Sequence, residues 1–145
     1  MGSLLVTLQF GLLLLLAWMA SPRVADGSIS AIAIVLALAS IALVVWTFRH
    51  NRPGNFNIRP TPRQGGQLIT SGPYRHVRHP MYSAVLLGAA AMAWISPPLA
   101  AWLAWGALLA VLLGKAAIEE RWMMDAHPQY APYRQHSWRL VPGLY

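Results

Sequence analysis

The chain has 145 residues, of which 57% are hydrophobic and only 10% are charged. In soluble domains about a quarter of the residues are charged, so this composition excludes an ordinary soluble domain and indicates an integral membrane protein. The net charge of +7 points to anionic lipid headgroups or an anionic ligand rather than nucleic acid, and the absence of cysteine excludes disulfides, a thiolate nucleophile and cysteine-based metal sites.

Four apolar segments approach the roughly 20 residues that a membrane-spanning helix needs. They cover residues 4–20, 29–48, 81–96 and 99–118. Pro97 and Pro98 separate the last two segments, which are therefore predicted to form an antiparallel helical hairpin. The first segment has an alternative interpretation as a signal peptide, but its apolar run exceeds the usual length of about 7–15 residues and nothing basic precedes it.

We expect one all-α integral-membrane unit of about four transmembrane helices. Residues 1–48 are predicted to form two N-terminal helices, and residues 49–145 the functional core. Arginines are concentrated in residues 49–80 and 119–145. Because short cytoplasmic loops are enriched in basic residues, four crossings place both termini and these basic segments on the cytoplasmic side.

Two segments of the core are too polar to cross a membrane. Residues 51–67 are rich in Pro, Gly and Asn, which predicts an irregular loop rather than a helix or a strand. The tail from residue 119 mixes aromatic residues with Arg and His. This mixture is typical of a segment that lies at the membrane interface or folds back under the bundle.

The stretch "RHVRHPMY" (75–82) places arginines and histidines at the start of the third apolar segment. Pro80 suits the first turn of a helix, which makes His79 the predicted N-cap and leaves several backbone N–H groups without an intrahelical acceptor. These amides, the helix dipole and the arginines predict a site for a carboxylate or phosphate. The alternative is a basic flank that contacts lipid phosphates, although lipid anchoring does not require imidazole. A metal or haem site on His76 and His79 would need further ligands at matching depth. The candidates are few, namely His127, His136, Glu119 and Glu120, so no metal is predicted.

Glu119 and Glu120 are the only glutamates in the chain and lie at the predicted end of the fourth helix. Carboxylates there oppose the helix dipole, so we expect a compensating cation from Arg121, Arg139 or a ligand. A solvated helix end, with Lys115 offsetting the charge, is the alternative for one of the two glutamates.

A series of motifs runs in order through about residues 50–142. It comprises Asn55-Phe56, Pro60-x-Pro62, Leu68, Gly72-Pro73-Tyr74-Arg75, Arg78-His79-Pro80-x-Tyr82, Glu119-Glu120, Tyr130-x-x-Tyr133, and Arg139 with Pro142. Taken alone, the tail tyrosines are more typical of an interfacial belt than of a site. Taken together, the motifs resemble the isoprenylcysteine carboxyl methyltransferase and phospholipid N-methyltransferase families of small integral-membrane enzymes. The pattern "GPYRxxRHPxY" followed by a hairpin and "EE" is more specific than any single piece.

The resemblance implies S-adenosylmethionine as the cofactor, bound in a cytoplasm-facing pocket between the last two helices and the tail. It implies that the Arg-His-Pro turn seats the methionine end of the cofactor and that one of the glutamates binds its ammonium or ribose hydroxyls. The cofactor-binding residues expected on this basis are Tyr74, His76, Val77, Arg78, His79, Pro80, Tyr82, Glu119, Glu120 and Tyr130. Arg139 and Glu120 are the expected catalytic residues, which orient or polarise the acceptor.

The expected function is methyl transfer to a small lipophilic acceptor that enters from the bilayer. The nucleophilic atom of the acceptor and the oligomeric state stay open. Related membrane sterol reductases have a similar C-terminal arrangement and bind NADPH, so a membrane-embedded NADPH-dependent reductase is one alternative. A non-catalytic protein that binds anionic lipid through its basic face is the other.

Overall fold

The computed structural model describes residues 2–51, 67–96 and 98–144. Over these residues the chain forms the helices α1 (Gly2–Ala25), α2 (Ala31–His50), α3 (Pro80–Ile95), α4 (Pro98–Ala126) and α5 (Tyr130–Gln135), with a 3₁₀ helix at Gly72–Arg75. The described part contains no strand, and its isolated β-bridge joins Val77 to Trp138 in parallel. The predicted all-α class is confirmed. The predicted irregular loop, the motifs at residues 55–62 and Pro97 lie outside the described residues.

Among the residues that the structure describes, three helices are long and apolar enough to cross a bilayer, namely α1, α2 and residues Leu99–Ala126 of α4. The helix α3 has 16 residues. At 1.5 Å per residue it is about 24 Å long, slightly shorter than the roughly 30 Å hydrocarbon core of a bilayer. The long apolar helices identify an integral membrane protein, and the fourth predicted span corresponds to this shorter helix.

The helix α4 extends further than the sequence predicts. It continues to Ala126, so the expectation that Glu119 and Glu120 end the helix is wrong. Cationic side chains surround Glu120 and offset its charge within the helix, as described below. Counted from Leu99 at 1.5 Å per residue, Glu120 lies about 32 Å along the axis, which brings the glutamates to the edge of the hydrocarbon core.

The central helix of the bundle is α3. It packs against α2 on one side and against α1 and α4 on the other, and α1 also packs against α4. Small residues permit a close approach to α2, since the Ser40 hydroxyl donates to the Ala84 carbonyl at 2.7 Å and a Cβ at Gly88 would lie 3.1 Å from the same hydroxyl oxygen. The core between α1, α3 and α4 includes Leu16, Tyr82, Leu86, Ala89, Ala104, Leu108, Leu112 and Ala116. As predicted, α3 and α4 form an antiparallel hairpin, which brings the start of α3 beside the last third of α4.

The tail after α4 folds back under the bundle, which is one of its two predicted positions. The Trp138 amide donates to the His76 carbonyl at 2.9 Å. In return, the amides of Arg78 and His79 donate to the carbonyls of Trp138 at 2.7 Å and Arg139 at 3.1 Å. These backbone bonds attach the tail to the segment that leads into α3, so residues far apart in sequence meet at one end of the bundle.

Candidate active site

The turn that leads into the site is built on Gly72. Its φ of 60° lies in the left-handed region, and a Cβ at this position would overlap the imidazole of His50. The turn is held on both sides, because the Tyr74 hydroxyl accepts a hydrogen bond from Asn51 Nδ2 at 2.8 Å and the Tyr133 hydroxyl donates to the Tyr74 carbonyl at 2.6 Å. Burial raises the pKa of Tyr133 to about 12, so its hydroxyl stays a neutral donor. The end of α2, the turn and the tail are thereby connected.

Glu120 is the most heavily bonded residue of the site and is only 3% exposed. Its Oε1 accepts hydrogen bonds from Arg78 Nε at 2.9 Å and from Arg139 Nε at 3.1 Å, and lies 3.3 Å from His79 Nε2. Its Oε2 accepts from Arg139 Nη2 at 2.9 Å and lies 3.9 Å from Arg134 Nε. The predicted compensating cation is therefore present, and the alternative of a solvated helix end is wrong for Glu120.

Glu119 has a different environment. One oxygen accepts a hydrogen bond from the Tyr82 hydroxyl, and the other lies 3.4 Å from His79 Nδ1. The rings of Tyr82 and His79 stack with centroids 5.3 Å apart and planes 5° from parallel. The side chain of Glu119 is 22% exposed, against 4% for Glu120. Glu119 is thus the more accessible of the two carboxylates.

His79 connects the two glutamates, since each of its ring nitrogens lies near one of them. Burial alone would lower the pKa of His79, but the hydrogen bonds to Glu119 and Glu120 and the negative charges of these two residues together outweigh burial and raise the pKa above its usual value. The two carboxylates therefore favour the protonated imidazole more than water does.

Four backbone amides around the start of α3, where an anion site was expected, already have acceptors. The amides of Arg78 and His79 donate to the tail, and those of Tyr82 and Ser83 donate to the His79 carbonyl at 3.0 and 3.1 Å. The expectation of free amides is wrong for these four residues, because these carbonyl oxygens accept their hydrogens. His79 does occupy the N-cap position, without a side-chain cap. The positive charge of the site comes instead from guanidinium and imidazole groups.

A cavity of about 430 Å³ lies next to these ion pairs. It is lined by Arg78 and by the consecutive tail residues 134–139, which include Arg134 and Arg139. Its volume falls within the range of about 300–1,000 Å³ that is usual for small-molecule sites. Three arginines among the lining residues suit a ligand that carries a carboxylate or a phosphate, and Arg78 and Arg139 also bind Glu120.

The predicted site residues divide into a connected group and a peripheral group. The contact network joins Arg78, His79, Tyr82, Glu119, Glu120 and Arg139. The peripheral group is Tyr74 in the turn, Val77 in the bridge to the tail, Pro80 at the start of α3, and Tyr130, buried edge-on to Tyr133. The exposed ring of His76 lies beside Trp46, with centroids 6.4 Å apart.

Sequence reasoning missed Arg134 and Ser137 as parts of the site. The Nη1 group of Arg78 donates to the carbonyls of both residues, at 3.2 Å to Arg134, and both line the cavity. The only signal in the sequence was the excess of arginine in the tail, which predicted orientation in the membrane rather than a contact. The backbone pairing of the tail, which has no sequence motif of its own, is what brings these residues in.

Residues 28–129 match the family model described as phospholipid methyltransferase. A cobalt-zinc-cadmium resistance protein, CzcN, from Cupriavidus metallidurans is 36% identical over 84 residues. The match covers 57% of this chain and 38% of that protein, so the chain spans less than half the length of this relative. No solved structure matches the chain significantly. The family match includes the Arg-His-Pro turn and both glutamates, and ends before Arg139.

Proposed function

Because the chain belongs to the phospholipid methyltransferase family, we propose that it is an integral-membrane methyltransferase that uses S-adenosylmethionine and acts on a small lipophilic acceptor. One observation carries the proposal. The paired glutamates of α4 meet the Arg78-His79 turn and the tail residue Arg139 beside a cavity lined by three arginines. This arrangement has opposite charges in adjacent positions, as a zwitterionic ligand requires.

The donor set suits the charges of this cofactor. S-adenosylmethionine has a carboxylate, an ammonium group and a sulfonium group. The arginines that line the cavity suit the carboxylate, and Arg134 is the most exposed of them, with 48% of its side chain accessible. The accessible carboxylate of Glu119 suits the positive groups. When bound, the cofactor supplies an electrophilic methyl group.

The two glutamates have different roles in this proposal. The sequence assigns the polarising role to Glu120, but both of its oxygens are engaged by Arg78 and Arg139. Glu120 therefore acts as the anchor of the tail, and Arg139 is a positioning residue that holds this anchor. Glu119, which Tyr82 and His79 orient, lies on the Tyr82 side rather than among the described residues that line the cavity. In this proposal its partly exposed carboxylate reaches the ligand from that side and accepts a proton if the acceptor must lose one.

Alignment and exclusion of water are the main demands of an in-line methyl transfer. The backbone bonds between residues 76–79 and 138–139 hold the arginine-lined wall of the cavity against α3. The docked tail also covers this end of the bundle and limits access of water to the ion pairs.

The depth of the site is consistent with a lipophilic acceptor. The glutamates lie at the edge of the apolar part of α4, where an acceptor with a polar head and an apolar body would partition. We propose that this end of the bundle is cytoplasmic, because Arg49, Arg75, Arg78 and the tail arginines lie there. Since the chain has no cysteine, single cysteines at the exposed positions Ser28 and Ala131, labelled from outside the cell, would test this: only Ser28→Cys should react, and Ala131→Cys should react after the cells are permeabilised.

The first experiment is calorimetric titration of S-adenosylmethionine into the detergent-solubilised protein. We expect saturable binding that Glu119→Gln weakens at least about tenfold in protein that circular dichroism shows to be folded. Asp125→Asn is the matched control, because Asp125 is an exposed acidic residue of the same helix and should bind as the wild type does. Binding of NADPH or of anionic lipid vesicles, with no binding of S-adenosylmethionine to folded protein, would reject the proposal.

A further inference from the structure

A buried lysine lies below the site and takes no part in the mechanism described above. Lys115 is 1% exposed and heads the group of largest fully buried side chains. It lies one helical turn before Glu119, about 6 Å deeper along α4. An ionisable side chain in an apolar membrane segment is costly, so its presence indicates a functional partner nearby.

Lys115 contacts one residue of α1 and one residue of α3. Its Nζ donates to Gln9 Oε1 in α1 at 2.7 Å, and Gln9 is itself buried. The same Nζ lies 5.1 Å from the centroid of the Tyr82 ring, within the range of a cation–π contact. Since the Tyr82 hydroxyl donates to Glu119, one connected chain runs from α1 to the accessible carboxylate.

We propose that Lys115, held by Gln9, is a positioning residue that fixes the ring of Tyr82 so that its hydroxyl holds Glu119 in place. The ring of Tyr82 has two close neighbours of positive or polar character, the stacked imidazole of His79 and the Nζ of Lys115. Together they restrict its rotation. The Glu119 carboxylate, four residues after Lys115 on α4, balances the lysine charge in these apolar surroundings.

This role makes α1 a part of the site. The family match begins at residue 28, whereas Gln9 belongs to α1 (Gly2–Ala25). The effect on ligand binding rests on the proposed function, because it requires Glu119 to contact the cofactor. The effect on Tyr82 does not, and it is measured without any ligand.

Tyrosine labelled with ¹³C at the ζ carbon tests the ligand-free part, because the shift of this carbon reports the hydrogen bond of the hydroxyl. The chain has five tyrosines, and Tyr82→Phe assigns the signal. We expect Lys115→Met to move the Tyr82 signal while the signals of the distant tyrosines stay in place. The conservative variant Lys115→Arg, which keeps a cation over the ring, should restore it.

A variant in which Gln9 and Lys115 are exchanged distinguishes positioning of Tyr82 by Lys115 from simple packing of α1 on α4. The double variant Gln9→Lys with Lys115→Gln keeps an ammonium–amide hydrogen bond between the helices but moves the charge to α1. We expect it to unfold within a few degrees of the wild type and still to show the displaced Tyr82 signal. A Tyr82 signal at the wild-type position in the exchanged pair, or in folded Lys115→Met, would overturn the inference. The exchanged pair also decides the question if Lys115→Met does not fold.

Titration of S-adenosylmethionine into the same variants tests the functional part. We expect Lys115→Met and the exchanged pair to bind about tenfold more weakly than the wild type, and Lys115→Arg to bind within about threefold of it. Wild-type affinity in the exchanged pair would show that Lys115 serves packing alone. A wild-type protein that does not bind S-adenosylmethionine would reject the proposed function, and the tyrosine spectra would then decide the role of Lys115 by themselves.

Discussion

The ion pairs around Glu120 predict that a single neutral substitution releases the tail. In Glu120→Gln the carboxylate charge is lost, while the side chains of Arg78 and Arg139, which are only 8% and 17% exposed, stay where they are. Three charge-assisted hydrogen bonds are affected. Because breaking a buried ion pair from one side costs about 3–5 kcal/mol, we expect docking of the tail to weaken by about this amount. The population of the undocked tail then rises by about a hundredfold or more.

Limited proteolysis measures this population directly. Trypsin cuts after arginine, and a cut after Arg139 requires the tail to leave its hydrogen bonds with residues 76–79. When opening and reclosing are fast relative to cleavage, the rate of cutting follows the equilibrium population of the open form. The rate constant for loss of the fragment after Arg139, followed by mass spectrometry in detergent, should therefore increase about a hundredfold in Glu120→Gln.

Glu119→Gln is the matched control for this experiment. The carboxylate of Glu119 contacts Tyr82 and His79 rather than the tail arginines, so its loss should change the cleavage rate by less than about fivefold and reduce cofactor affinity instead. A Glu120→Gln protein cleaved within about threefold of the wild-type rate would refute the assignment of Glu120 as the anchor of the tail.

Three further outcomes follow from the same geometry. The pKa of His79 is raised in the folded protein, so its stabilising contribution is complete below the unfolded value of about 6.5 and is lost as the pH rises through the folded value. The thermal midpoint should therefore fall as the pH rises above about 6.5, and His79→Gln should flatten this dependence. Gly72→Ala should lower the free energy of unfolding by about 1–3 kcal/mol, because Gly72 has a positive φ and the His50 imidazole lies beside it. Gly106→Ala is the control: the new Cβ would have open space around it, so this variant should unfold thermally as the wild type does. Tyr133→Phe removes the hydrogen bond to the Tyr74 carbonyl. It should weaken docking of the tail by about 1 kcal/mol, which tryptic cleavage of the tail would report as a faster rate.

The helices were largely predictable because each depends on local composition. Apolar runs of nearly the right length, and the proline pair between the last two, located the ends of the four main helices to within five residues, except that α4 continues eight residues beyond its predicted end. That end depends on tertiary charge balance. A stretch with two glutamates at the edge of an apolar run has the pattern of a helix end, and it continues as helix because Arg78 and Arg139, distant in sequence, neutralise Glu120.

The site was predictable only as a set of residues. The motifs indicated correctly that the Arg-His-Pro turn and the two glutamates belong together, and the structure joins them within hydrogen-bond distance. The partners that complete the site come from elements without a motif. The folded tail places Arg134 near Glu120, and the packing of α1 against α4 places Gln9 in contact with Lys115.

The division between the two glutamates follows from helical geometry, which a motif of adjacent letters does not express. Consecutive residues of an α-helix point about 100° apart, so one glutamate of the pair faces the tail and the other faces Tyr82. Glu120 must keep its charge for the tail to stay docked, and Glu119 must stay accessible for a ligand to reach it. His79, with one ring nitrogen near each carboxylate, couples the two requirements. A change that withdraws His79 should therefore affect tail docking and ligand affinity together, whereas changes at either glutamate separate them.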